Sequence, residues 1–155
     1  MPALYQALRD LVAWVERGEV PPQSSQYTVT NGQVQLVAGA LGRRGIQPVV
    51  TLTVNGSTRL EAAANQPVDF TGRIEVPPGA GKVVSTSWWF GEGEPSLDPS
   101  PLPEPKPVVE VKRSHVYTKP GTYFVTLFAS SQREGDASAT ATAIQNLDRV
   151  RVVVR

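Results

Sequence analysis

The sequence of 155 residues has no cysteine and a single histidine. Without Cys there is no disulfide, no thiolate nucleophile and no Cys-ligated metal, and one His excludes both a multi-histidine zinc site and any pair of catalytic histidines. Charge of one sign is also missing, because 15 Lys and Arg stand against 14 Asp and Glu. Arg43-Arg44 and Lys112-Arg113 are the only adjacent basic pairs, so the basic stripe that holds a phosphate backbone is lacking and nucleic acid is not an expected partner. No apolar run approaches the roughly 18 residues that would cross a bilayer. Arg9, Asp10, Glu16, Arg17 and Glu19 interrupt the first twenty positions, where an export signal would need an unbroken apolar segment. The expectation is a domain with no membrane partner and no export signal of its own in this stretch.

Turn-forming residues are plentiful, with 13 Gly and 14 Pro. Residues 4 to 15 repeat Leu4, Leu8, Leu11, Val12 and Val15 at helical spacing, with Ala7 and Trp14 widening the stripe. Gly18 and Pro21-Pro22 stop that helix. Residues 21 to 45 read as a polar connector with one candidate edge strand at Val34, Leu36 and Ala38 beside an Asn31-Gly32 turn. After Gly45 the period becomes two. Val50 to Val54, Val68 to Val76, Val83 to Phe90, Val108 to Val111 with a continuation toward Tyr117, Thr122 to Ala129, and Ala139 to Val154 with a break near Asn146-Leu147-Asp148 read as strands. Asp69, Arg73 and Glu75 alternate on the solvated face of the second of these. Glu94 to Pro107 carries prolines at 95, 99, 101, 103, 105 and 107, which reads as a loop or stiff surface spacer. The pattern predicts an all-β sandwich over residues 46–155, preceded by a helix and connector over 1–45.

Trp88-Trp89-Phe90-Gly91-Glu92-Gly93, followed by His115-Val116-Tyr117-Thr118-Lys119-Pro120-Gly121-Thr122-Tyr123-Phe124-Val125-Thr126-Leu127, resembles the signature of the polycystic-kidney-disease (PKD) domain. The resemblance implies an immunoglobulin-like β-sandwich in which Trp88, Phe90, Gly91, Gly93, His115, Tyr117, Pro120, Gly121, Tyr123 and Val125 are structural. Alternation puts Trp88 and Phe90 on one strand face and Tyr123, Val125 and Leu127 on another, so two aromatic-rich rows can close a core without a disulfide. Tyr123 stands where the tyrosine-corner residue of related sandwiches stands, two positions before the core Val125. Glu92 replaces the Asp usual in the family, and its extra methylene works against capping its own turn. A second resemblance lies in Ala7 to Gly18, Pro21-Pro22 and Ser25-Gln26-Tyr27, which are similar to the last helix and tail of secreted α/β-hydrolases related to tannases and feruloyl esterases, with Gly45 to Gly56 similar to the start of a sandwich appended to some of them. That resemblance implies a neighbouring hydrolase domain in a longer precursor, secreted or periplasmic. No Gly-x-Ser-x-Gly elbow is present.

Candidate chemistry is therefore sparse. His115 reads as a ring that bonds a neighbouring turn, and Ser130-Ser131 as a polar strand end with no nucleophile elbow. Glu92, Glu94 and Asp98 are candidate Ca²⁺ ligands, without EF-hand spacing. Trp89 points away from Trp88, either packed beneath the proline-rich segment or the N-terminal helix or open as a binding surface, with Phe124 and Phe128 as its companions. The leading expectation is a non-catalytic accessory domain that positions a neighbouring esterase-like hydrolase. The alternatives are a module for carbohydrate or another cell-surface polymer and, third, an esterase in its own right. A homodimer through the N-terminal helix is a further expectation.

Overall fold

The computed structural model describes residues 2–94 and 99–155. Strands β3 (Val49–Val54), β5 (Pro67–Glu75) and β8 (Val108–Val116) form one antiparallel sheet in the order β3-β5-β8. Strands β4 (Arg59–Ala62), β6 (Lys82–Trp89), β7 (Ser100–Lys106), β9 (Gly121–Gln132) and β10 (Ile144–Val154) form the other, in the order β4-β10-β9-β6-β7. Period-two side chains from both sheets meet between them. Leu52, Val54, Val68, Phe70 and Ile74 face Val83, Val125, Leu127, Val150 and Val152, each at most 2% exposed, and this dry layer supplies the main driving force for folding. The solvated face carries Arg73 between Glu75 and Glu110, at 2.9 and 3.3 Å, as its alternation requires.

Two readings of the second half change. The prolines of Glu94 to Pro107 do not make a simple loop: Ser100–Lys106 is β7, paired only with β6. Proline has no N–H to donate to a ladder, and an edge strand tolerates that loss. The last run is not broken at Asn146-Leu147-Asp148, since β10 pairs with β9 without interruption from Ile144 to Val154. Its polar residues serve the other sheet. Asn146 Nδ2 donates to the Pro48 carbonyl at 2.8 Å, and Asp148 Oδ2 accepts the Leu52 N–H at 2.8 Å; Leu52 lies on β3, an edge strand with backbone groups left over.

The N-terminal region folds as helix α1 (Pro2–Arg17), the hairpin β1 (Tyr27–Thr30) and β2 (Gln33–Leu36), and a short helix α2 (Ala40–Arg43). Gly18 ends α1 at φ 71°, with its N–H on the Trp14 carbonyl at 3.0 Å. The hairpin does not extend the sandwich as an edge strand; it is a two-stranded sheet of its own. Its register places Tyr27 opposite Leu36 and Val29 opposite Val34, so all four share one face, and all four are exposed.

The seating of α1 is the largest departure from the sequence reading. Its buried residues are Gln6, Asp10 and Ala13, and its apolar stripe faces outward. Gln6 Nε2 donates to Asp10 Oδ1 at 2.8 Å, and Asp10 Oδ2 accepts from Arg133, just beyond β9, at 2.9 Å. Arg9 and Glu134 add a looser pair at 3.6 Å. The helix thus rests on the β9–β10 connection through a polar seam, whereas Leu4, Leu8 and Leu11 remain 50% exposed and Val15 75%. It does not lie across the sandwich near Trp89. Gln132 pairs with Lys82 at the opposite end of β6 from Trp89, about 23 Å away at the usual strand rise.

Asp10→Ala is expected to leave Arg133 unpaired where it is three-quarters covered, costing about 1–3 kcal/mol after allowance for its residual contact with water. Hydrogen exchange should then show α1 opening while the two sheets keep their protection. Equal loss of protection in α1 and β9 would contradict a seam that holds only the helix.

Candidate functional site

The signature residues converge at one end of the sandwich. Phe90 lies over His115 with ring centroids 4.3 Å apart and planes 7° from parallel, and Trp88 stacks on Phe90 at 6.0 Å. The Tyr117 ring meets His115 edge-on at 4.6 Å and stacks on Tyr123 at 4.2 Å. Offset and edge-to-face contacts of this kind add about 0.5–1.5 kcal/mol each beyond the area they bury. Alternation builds the row: Trp88 and Phe90 turn inward at the end of β6, while His115 and Tyr117 leave the end of β8. Trp88 is inward as expected but only half-buried, because it sits where the sandwich opens.

Polar atoms fasten the row. Tyr117 donates to the Phe90 carbonyl at 3.0 Å, and Tyr123 donates to the Lys119 carbonyl at 2.8 Å. The second bond closes a tyrosine corner across the Pro120-Gly121 turn. Gly91 holds φ 82°, and a Cβ there would lie 2.9 Å from the Phe124 backbone nitrogen; only glycine fits this turn without strain. Gly93 continues it at φ 64°. Glu92 does not cap its own turn. Its carboxylate reaches across to His115 Nε2 at 2.7 Å, and its carbonyl accepts the Trp89 indole N–H at 3.1 Å. The longer side chain at this position spans the gap between loop and β8.

His115 is thereby committed. Phe90 stacks on its ring, Tyr117 meets it edge-on, and Nε2 is taken by Glu92. Ser131 is fully buried and donates to the Ile144 carbonyl at 3.4 Å, and Ser130 lines the outer face of the five-stranded sheet, away from His115. These positions bring no Ser-His pair together. Of the candidate calcium ligands, Glu92 is bonded to His115, Glu94 is exposed, and Asp98 lies outside the described residues. Among the described residues no three His, Asp or Glu side chains gather where they could hold a metal ion, and no helix is long and apolar enough to cross a membrane.

Burial raises the Tyr117 hydroxyl well above its ordinary pKa, with the negative Glu92 adding to the rise. A group with a raised folded-state pKa contributes stability that is complete below its unfolded value, about 10, and disappears as pH climbs past that value. Tyr117→Phe should cost about 1–2 kcal/mol at neutral pH, through the orphaned Phe90 carbonyl. It should also flatten the alkaline limb of a stability profile above about pH 10. A variant with an unchanged alkaline limb would show that another group controls it.

A family model described as the PKD domain matches residues 51–144. The chain belongs to the PKD-domain family. The matched residues take in the aromatic row and the tyrosine corner, and domains of this family are generically non-catalytic scaffolds. Among solved structures, the PKD domain of an M14-like peptidase from Thermoplasmatales archaeon SCGC AB-540-F20 is similar at 19% identity and a TM-score of 0.45, over 70% of this chain and 92% of that one. No curated protein matches this PKD chain.

On the opposite face of the same sheet lies a surface that the signature does not describe. Trp89 pairs with Thr126, and Phe124 and Phe128 flank Thr126 on the same face of β9. Phe124 is 47% exposed, and Leu147, opposite Phe128 on β10, is 44% exposed. Trp89 is half-buried with its indole N–H fixed. It does not pack beneath α1, which lies at the other end of β6.

Proposed function

We infer that this PKD domain is a non-catalytic accessory domain that fixes the position of a neighbouring esterase-like hydrolase domain, with which it is exported as part of one precursor. The observation that carries this reading is the orientation of α1. A free amphipathic helix on a sandwich turns its apolar stripe inward, since each large aliphatic side chain gains about 1.5–3 kcal/mol on full burial. Here the polar edge is seated on the sandwich and the stripe is held outward, with Tyr5 and Trp14 more than half exposed beside the leucines. An exposed apolar patch of this size on a fastened helix is a docking face. The similarity of Ala7 to Gly18 and Pro21-Pro22 to the tail of tannase-type hydrolases supports a hydrolase as the neighbour.

The non-catalytic half of the reading is tested on the purified chain with small aryl and phenolic esters. Hydrolysis should stay at the uncatalysed rate, and His115→Ala should lower the melting temperature without altering that rate. Turnover proportional to protein concentration that vanishes in His115→Ala would overturn it.

A further inference from the structure

The positioning role leaves the outer face of the five-stranded sheet unused, and that face has a second feature besides its aromatic side chains. Ser85 and Ser87 on β6, Phe128 and Ser130 on β9, and Gln145 on β10 surround a cavity of about 110 Å³ closed on one side by Pro99. The register explains it: Ser85 lies opposite Ser130, Ser87 opposite Phe128, and Ser130 is also the partner next to Gln145. Three serines in adjacent rows are too short to fill the space that Phe128 and Pro99 wall in. Ser87 is 6% exposed, and its hydroxyl has no hydrogen-bond partner among the described residues. A buried hydroxyl left in that state is destabilising, and a ligand group placed in the cavity would satisfy it.

We propose that this cavity and the adjoining Trp89 and Phe124 bind a neutral oligosaccharide. The chemistry of the lining selects the class. Among the described residues no Asp, Glu, Lys or Arg borders the cavity, so an ion entering it would lose hydration with no opposite charge from them in return. A purely apolar ligand would leave the Ser87 hydroxyl unanswered and would cover the long contact in which Gln145 Nε2 donates to Ser130 Oγ at 3.5 Å. Hydroxyl and amide groups both donate and accept, as sugar hydroxyls do, and Phe128 offers a flat apolar wall to the C–H face of a ring. Phe124 and Phe128 are four residues apart on one strand face, about 13 Å, so a ligand that touches both is a chain of several rings. This inference stands apart from the hydrolase-positioning role and survives if that role fails.

The test is titration of the chain with cellohexaose and xylohexaose, followed by amide chemical shifts, with polygalacturonate as the charged counterpart. The expected result is saturable shifts at Ser85, Ser87, Ser130 and Gln145 with at least one neutral hexamer. Ser87→Val, which fills the cavity, should weaken binding at least about tenfold, the equivalent of one good hydrogen bond lost. Gln145 is exposed, so Gln145→Ala should leave the fold intact and weaken binding several-fold. The proposal is overturned if neither hexamer shifts these amides, which would mean the cavity holds water only. It is overturned equally if polygalacturonate binds as tightly, or if a well-folded Ser87→Val and Gln145→Ala both bind as the parent does.

Discussion

Trp88→Ala is expected to lower the unfolding free energy by about 2–4 kcal/mol, and Trp89→Ala by about 1 kcal/mol or less. The two indoles are neighbours in sequence and both half-buried, but they stand on opposite faces of β6. Trp88 packs on Phe70 and Phe90, with centroids at 6.5 and 6.0 Å, and its removal opens a cavity against the core. A fully buried Trp→Ala change costs about 3–5 kcal/mol. The figure is lower here because part of the ring is exposed and because its buried N–H has no partner among the described residues, a penalty that the substitution relieves. Trp88→Phe, which keeps the stack and deletes the unanswered N–H, should therefore cost well under half as much. Trp89 covers only the outer face. Urea denaturation of the three variants measures the ranking, and equal losses for the two alanine variants would reverse the assignment of faces.

Gly72→Val should destabilise the domain by about 3 kcal/mol or more, at the upper end for overpacking a core. Gly72 sits mid-strand on β5, inward between Phe70 and Ile74, where the alternation calls for a large side chain. The structure fills the place from the other sheet. Leu127 occupies the volume that a Cβ on Gly72 would take, and Val111 Cγ2 would be 3.1 Å from that atom. Leu127 has no exposed surface and so no solvent to move into. Pairing the change with Leu127→Ala should recover part of the loss, because the two side chains compete for one space. Thermal unfolding of the single and double variants decides it; strictly additive losses would show that the two positions do not share a volume.

The sequence made the sandwich legible wherever one strand carried its own evidence. Val50 to Val54 and Val68 to Val76 alternate cleanly, and the two halves of the signature fall at strand ends, where they meet around Phe90 and His115. Elements defined by a distant partner were not legible. β4 has only Leu60 as a large apolar residue, and it exists because β10, some 90 positions later, runs parallel to it. β7 is a strand because an edge tolerates proline. Asn146 and Asp148 looked like a break because their bonding partners, Pro48 just before β3 and Leu52 within it, belong to the other side of the sandwich. For the site, the glycines, the tyrosine corner and the His115 contact with a turn could be read directly. The reach of Glu92 to His115 could not, since it depends on how closely the loop approaches β8. The outward stripe of α1 was equally hidden: the periodicity names the apolar face, whereas its direction is set by Arg133, more than a hundred residues away.

That direction is the basis of the functional reading, and hydrogen exchange tests it most directly. The comparison is between residues 4 to 15 in this chain and the same residues in the complete product of the gene that encodes them, with β6 as the internal reference. A neighbouring hydrolase domain seated on Leu4, Leu8, Leu11 and Val15 would slow exchange of α1 by roughly tenfold or more, the effect of about 1.4 kcal/mol of added local stability, and leave β6 unchanged. Unchanged exchange in the complete product would contradict the account. So would protection already present in the 155-residue chain that rises with its concentration, because a second copy would then be what covers the helix.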